Sequence, residues 1–164
     1  DSVLCSAYFI FLNKTGFRGM YREGPNGYNI PYGNYKNPQI IDEEHLYKIS
    51  DLIKEVNFYN YDFSKSFEKI KGKNNFIYLD PPYAPENSKS FVGYTKDGFS
   101  KEQHEKLFEL TKKISKKNKI MMSNAKVELV TENFKDFNYL EVKARRAINS
   151  KNPGSTTTEV IIYN

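Results

Sequence analysis

The sequence predicts an α/β fold built on a mostly parallel sheet, and three observations carry that expectation. Apolar runs without polar alternation recur at residues 76–79 and 119–122, the pattern of strands buried on both faces. Stretches with helical spacing separate such runs, as in βα repeats. The first run ends abruptly in Asp80-Pro81-Pro82-Tyr83. Two prolines lack backbone donors, so the ladder must stop near Asp80, at the carboxyl end of a strand, where open α/β sheets bind ligands. Strands are expected near 57–61, 76–79, 119–122, 139–143 and 158–163, the last two able to pair antiparallel.

Taken in order, residues 2–12 are apolar and unpunctuated, and predict a helix ending before Asn13, with a buried strand as the alternative. They read as the end of an element already under way, so the chain is expected to be a piece of a longer protein. Residues 13–36 carry glycines at 16, 19, 24, 27 and 33, which disfavours helix. Pro25-Asn26-Gly27 marks a hairpin turn. Here Arg18, Arg22 and Lys36 are interleaved with Phe17, Met20, Tyr21, Tyr28, Tyr32 and Tyr35. Such a mixture suits phosphate contact, base-edge contact and wedging between base steps. A surface loop packed by its own aromatics would explain some rings, but not this many glycines and cations together.

Residues 42–56 predict a helix with Leu46, Ile49, Ile53 and Val56 on one face and acids in the first turn, His45 being a solvated position. A short helix is expected from Ser64 to Ile70, before the break at Gly72. Beyond the prolines, residues 84–99 are long for a plain connection and fit either an active-site loop or a surface loop. Ser100 can cap the next helix, with Gln103 completing a capping box and Leu107, Leu110 and Ile114 facing inward. A strand ending at Ser123-Asn124 and a helix around residues 127–134 follow. A basic polar loop, residues 143–155, separates the last two strands.

Composition narrows the function classes. A net charge of +5 and a pI near 9.1 are a mild push toward a polyanion. Cys5 is the sole cysteine, which excludes an internal disulfide or a cysteine-cluster metal site, and no metal is expected. No apolar run approaches the roughly 20 residues of a membrane span. A reducing, cytoplasmic setting is expected.

The Asp80–Tyr83 stretch suits one chemistry well. An exocyclic amine on a base is a poor nucleophile, because its lone pair is delocalised into the ring. Two acceptors aimed at its two hydrogens would pull the nitrogen toward sp3 and free that pair. The Asp80 carboxylate and the Pro81 carbonyl can be those acceptors, on a backbone stiffened by Pro82. Tyr83 can stack on a base extruded from the duplex. The competing interpretation is a Pro-Pro turn whose acid caps the next segment.

The chain resembles the D12 class of DNA N6-adenine methyltransferases, the Dam-like enzymes. The matching pieces are residues 12–22, 28–36, Asp62-Phe63, residues 80–85, Ser123-Asn124 and residues 145–150, in collinear order over nearly the whole chain. The resemblance implies a site-specific, adenine-specific DNA methyltransferase with a class I (Rossmann-like) sheet and an inserted DNA-recognition segment. It implies S-adenosyl-L-methionine as donor, double-stranded DNA as partner and a nucleoid-associated location. It divides the chain into residues 1–12, the end of an upstream catalytic element, 13–56, target recognition, and 57–164, the C-terminal part of the catalytic domain. It makes Asp80, Pro81, Pro82 and Tyr83 catalytic, and Asp62, Phe63 and Asp80 donor-binding. It puts Phe17, Arg18, Met20, Arg22, Pro31, Tyr35, Lys36, Arg145, Arg146 and Asn149 at the DNA, with Phe17 as a wedge. The recognition segment resembles those of GATC methylases, so GATC or a related site is expected.

One departure stands out. The family's N-terminal Trp and Lys element, its Gly-x-Gly donor turn and its ribose-gripping acid have no counterpart here, and all would precede Asp1. The alternatives are therefore a catalytically incomplete DNA-binding fragment or the partner chain of such an enzyme. A methyltransferase acting on a protein glutamine would favour Asn at position 80 and would not need the aromatic-basic segment.

Overall fold

The computed structural model describes residues 1–85, 99–145 (main chain only at Arg145) and 156–164. The chain divides into two compact units, residues 1–59 and 60–164.

The first unit opens with helix α1, Ser2–Thr15, whose N-terminus is capped by Asp1 accepting the Val3 N–H. The helix runs three residues past the predicted stop. Thr15 Oγ1 donates back to the Phe11 carbonyl at 2.7 Å, and Asn13 Nδ2 donates to the Gly19 carbonyl at 2.9 Å, so both side chains are satisfied within helical geometry. A tight turn at Phe17–Gly19 leads into the expected hairpin, strands β1 (Glu23–Gly24) and β2 (Gly27–Tyr28) around Pro25-Asn26. Helix α2, Glu43–Leu52, is capped by Asp42 and stops four residues short of prediction. Its apolar face is exposed within its unit: Leu46, Ile49 and Ile53 all lie at the surface.

The second unit holds a four-stranded sheet with helices α3 (Phe63–Lys69), α4 (Lys101–Ser115) and α5 (Glu128–Asn133). Its strands are β3 (Phe76–Leu79), β4 (Lys119–Ala125), β5 (Asn138–Arg145) and β6 (Thr156–Tyr163), in the order β3-β4-β6-β5. Only β3 and β4 are parallel. β6 runs antiparallel to both of its neighbours. The sheet is therefore mixed, not mostly parallel. The last strand, β6, lies between β4 and β5 and pairs antiparallel with β5 from Arg145↔Thr156 to Asn138↔Tyr163. Lys143 to Arg145 continue β5 and do not begin a loop.

The expected strand at 57–61 does not form. Phe58 is 74% and Tyr59 is 70% exposed, and the segment joins no ladder. A run of aromatic and β-favouring residues becomes a strand only where another strand meets its backbone groups. Residues 13–41 contribute none of the four strands.

The core joins Phe67 of α3, Leu107 and Phe108 of α4, Met122 of β4, Val130 of α5, Phe134, and Val160 and Ile162 of β6, with Ala84 closing one end. A series of tilted and edge-on rings runs through it, from Phe63 to Phe99, His104, Phe108, Phe134 and Phe137, at centroid spacings of 4.6–6.0 Å. Helix α4 starts as predicted: Ser100 and Gln103 form a reciprocal capping box, which fixes where its first turn sits. At the far end of the sheet, Asn164 closes the unit, accepting the Ile120 N–H and donating to the Ser115 and Asn118 carbonyls.

Candidate functional site

The prolines act on the ladder as expected. β3 pairs with β4 up to Leu79↔Met122, and Asp80 follows outside the strand, exposed. A pocket of about 280 Å³ opens there. Its walls are Tyr61, Phe63, Ser66 and Phe67 on one side, Tyr78 to Pro82 on another, and Phe99 and Leu107 of the α4 region. Phe63 tilts against Phe99 at 5.6 Å, and the Lys106 ammonium lies 5.8 Å from the Phe63 ring centroid. Tyr78 OH and Ser123 Oγ are 2.7 Å apart beside it.

Of the three residues expected to bind the donor, Phe63 and Asp80 share this pocket. Asp62 precedes the wall: its carboxylate accepts the Ser64 N–H at 2.9 Å as the N-cap of α3, which begins at Phe63, one residue before the predicted start at Ser64. A capping role fixes the first turn, and with it the Phe63 ring.

Tyr83 is half-buried, and its hydroxyl donates to Glu159 Oε2 of β6 at 3.3 Å. Burial pushes its pKa up to about 12, and the Glu159 charge adds to this. The Ser123 hydroxyl opposes the shift and Asp80 reinforces it. The ring is thus a neutral phenol through the ordinary pH range.

Two buried side chains hold the main chain on either side of Tyr83. His104 Nε2 lies 3.0 Å from the Pro82 carbonyl oxygen, and Asn124 Oδ1 accepts the Ala84 N–H at 2.9 Å. The same oxygen accepts the Ala125 N–H at 2.9 Å, while Asn124 Nδ2 is buried without a hydrogen-bond partner among the described residues. His104 is 1% and Asn124 0% exposed. The sequence held a signal for His104, because it shares a helical stripe with Leu107, Phe108 and Thr111, all buried. A polar ring on an inward stripe needs a partner.

In the first unit, several residues expected at DNA come together. The Phe17 N–H donates to the Pro31 carbonyl at 2.8 Å, and the Arg18 N–H to Tyr35 OH at 2.7 Å. Arg18 adopts φ 55°, the left-handed region disfavoured for side chains with a Cβ, and its guanidinium lies 5.2 Å from the Phe17 ring centroid. Gly16 is required just before: a Cβ there would come within 2.6 Å of Tyr28 OH and 2.7 Å of the Leu12 carbonyl. Phe17 and Tyr35 are both 41% exposed. Met20 is half-buried, and Lys36 is exposed. Arg22 Nε donates to Asn29 Oδ1 at 2.7 Å across the hairpin, and its Nη2 to the Asn29 carbonyl at 3.3 Å. These two bonds orient the guanidinium and leave others of its five donors for a ligand. The Arg145 side chain, Arg146 and Asn149 lie outside the described residues, as do residues 86–98 of the expected loop.

Among the described residues, no three His, Cys, Asp or Glu side chains gather where a metal could bind, and no helix is long and apolar enough to cross a membrane.

A family model described as D12 class N6 adenine-specific DNA methyltransferase matches residues 1–148. The type II methyltransferase M.MjaIII of Methanocaldococcus jannaschii is 41% identical over 155 residues, covering 92% of this chain and 53% of that protein. The type II methyltransferase M1.LlaDCHI of Lactococcus lactis subsp. cremoris is 33% identical over 165 residues, 97% of this chain and 58% of that protein. The retron Ec67 DNA adenine methylase of Escherichia coli is 31% identical over 159 residues, 95% of this chain and 54% of that protein. The chain spans about half the length of the curated relatives it matches.

Proposed function

The chain belongs to the D12 class of N6 adenine-specific DNA methyltransferases, and from that premise we propose that the protein carrying it methylates N6 of an adenine flipped out of double-stranded DNA, at GATC or a related site. The observation that supports this most is the placement of Asp80 and Pro81 just past the end of β3, at the mouth of an aromatic-walled pocket. The Asp80 carboxylate accepts one amine hydrogen and the Pro81 carbonyl the other, which drives the nitrogen toward sp3. Asp80 acts as a preorganised acceptor, since the N6 proton becomes acidic only as the methyl arrives. The Tyr83 ring stacks on the flipped base.

S-adenosyl-L-methionine, when bound, supplies an electrophilic methyl group on a positively charged sulfur. The residues present fit part of such a donor: Phe63 offers a face to a planar heterocycle, and Asp80 offers a negative charge to a cation. Asp62 sets the turn that carries Phe63. The sheet of the second unit is proposed as the C-terminal part of a class I, Rossmann-like catalytic domain spanning residues 57–164. Residues 1–12 are proposed as the end of an upstream catalytic element.

Residues 13–56 are proposed as the target reader. The exposed Phe17 ring wedges into the duplex, Arg22 reads a base edge, and Met20 and Pro31 contact bases. Arg18, Tyr35 and Lys36 lie along the DNA, and Arg145, Arg146 and Asn149 are proposed as further DNA contacts. Work on DNA implies a nucleoid-associated, cytoplasmic location. The type II names of two relatives favour a restriction-modification setting.

Methylation-sensitive sequencing of DNA exposed to the whole protein and the donor tests the proposal. The expected result is N6-methyladenine at one recurrent short site. Sequence-specific binding without methylation would instead establish the DNA-binding reading.

A further inference from the structure

We propose that His104 is a positioning residue for methyl transfer: through Nε2–H it holds the Pro82 carbonyl and so fixes the main chain that presents the Pro81 acceptor and the Tyr83 ring. The inference rests on the reading of Asp80 to Tyr83 as the site that receives the target adenine.

Both ring nitrogens lie beside carbonyl oxygens, which only accept: Nε2 at 3.0 Å from Pro82 and Nδ1 at 2.9 Å from Ser100. The Ser100 carbonyl already accepts the His104 main-chain N–H at 3.0 Å, so the ring proton is assigned to Nε2, where it gives the Pro82 carbonyl a donor. The sheet offers that carbonyl no partner, because β3 ends at Leu79. The ring is held elsewhere too. Its faces and edges meet Phe99 at 4.6 Å and Phe108 at 6.0 Å. Ser100 is the N-cap of α4, locked by its capping box, so His104 projects from a fixed turn.

The consequence follows from the dihedral angles. Proline rings set φ at residues 81 and 82. The freedoms left around the ring are ψ of Pro82 and the two dihedrals of Tyr83. Holding the Pro82 carbonyl fixes the peptide plane before Tyr83. Asn124, by accepting the Ala84 N–H, fixes the plane after it. Both clamping side chains are buried, one on α4 and one on β4. Without the histidine donor, the Pro81–Tyr83 segment can rotate, and misplacement of a reacting group by about 1 Å can cost on the order of 10²-fold in rate.

The test compares two substitutions in the whole protein. His104→Leu keeps much of the volume and removes the donor. His104→Gln places an amide nitrogen the same number of bonds from Cβ. Single-turnover methylation, duplex affinity and 2-aminopurine fluorescence at the target position are measured for each. His104→Leu is expected to slow methylation on the order of 10²-fold while duplex affinity stays near wild type, and His104→Gln to recover most of the rate. A near-normal rate for His104→Leu, or a His104→Gln rate as low as that of His104→Leu, would overturn the proposal. Long-range ¹⁵N spectra of the wild-type imidazole decide independently of activity: a protonated Nε2 supports the clamp, and an unprotonated Nε2 overturns it. Should the wild-type protein methylate no adenine, the functional reading fails, and the spectra still judge the clamp.

Discussion

Tyr83 separates two ways in which an aromatic residue can matter. Its ring face is proposed to stack on the flipped base, and its hydroxyl donates to Glu159 at 3.3 Å. That bond is long and only partly buried, so its removal in Tyr83→Phe should cost about 1 kcal/mol. At 1.4 kcal/mol per tenfold, this is about fivefold or less in single-turnover rate. Tyr83→Ala removes the ring as well. Base stacking is worth about 1–3 kcal/mol, so the rate should fall by about five- to 150-fold beyond the Tyr83→Phe loss. The hydroxyl also carries a pH signature. Its pKa is raised from the ordinary value of 10.0 to about 12 by burial and the Glu159 charge. Because the folded value is the higher one, the stability it contributes is complete below pH 10 and is lost as the pH rises through about 12. Tyrosinate absorbance should therefore show a late-titrating component that Tyr83→Phe removes and Glu159→Gln moves down. Equal rate losses in Tyr83→Phe and Tyr83→Ala would refute the stacking role, because the hydroxyl alone would then carry the effect.

Other perturbations follow from the same geometry. Asn124→Ala orphans two main-chain N–H groups, each costing about 1–3 kcal/mol. Urea unfolding should show a loss of about 2–6 kcal/mol, and a loss below about 1 kcal/mol would mean that these bonds do not matter. Arg22→Ala should lose about 1–3 kcal/mol of discrimination at one base pair, and Asn29→Ala part of the same, since Asn29 orients the guanidinium. Lys36→Ala should weaken all duplexes alike and flatten the salt dependence. Binding to cognate and single-mismatch duplexes at several salt concentrations distinguishes them, and identical uniform losses for Arg22→Ala and Lys36→Ala would exclude base reading by Arg22.

Where local chemistry dictates structure, the sequence is readable. The two prolines ended β3 where expected, Pro25-Asn26-Gly27 made the hairpin, and Ser100 with Gln103 made the capping box. What failed needed knowledge of partners. Residues 57–61 carry strand-favouring side chains, but among the described residues no strand pairs with them. The sheet is mixed because β6 inserts between β4 and β5, a matter of which strand pairs with which that apolar runs cannot encode. The apolar face of α2 had the right spacing for burial, yet lies exposed in its unit, because periodicity states which face is apolar and not what covers it. The pocket was legible through Asp80 and Phe63. The supports behind it were not. His104 and Asn124 reach the main chain at Pro82 and Ala84 from 22 and 40 residues away, and spacing in sequence says nothing about such pairs.

The most direct measurement is single-turnover methylation of a hemimethylated duplex by the whole protein and its Asp80→Ala and Asp80→Asn variants, with duplex affinity measured in parallel. The account predicts that Asp80→Ala abolishes turnover while binding largely survives. Asp80→Asn should retain a little activity, since an acceptor oxygen remains without its charge, with a loss on the order of 10²–10³-fold typical for one preorganised electrostatic group. Near-normal turnover by Asp80→Ala would contradict the account, because the amine would then be activated by something other than the carboxylate at the end of β3.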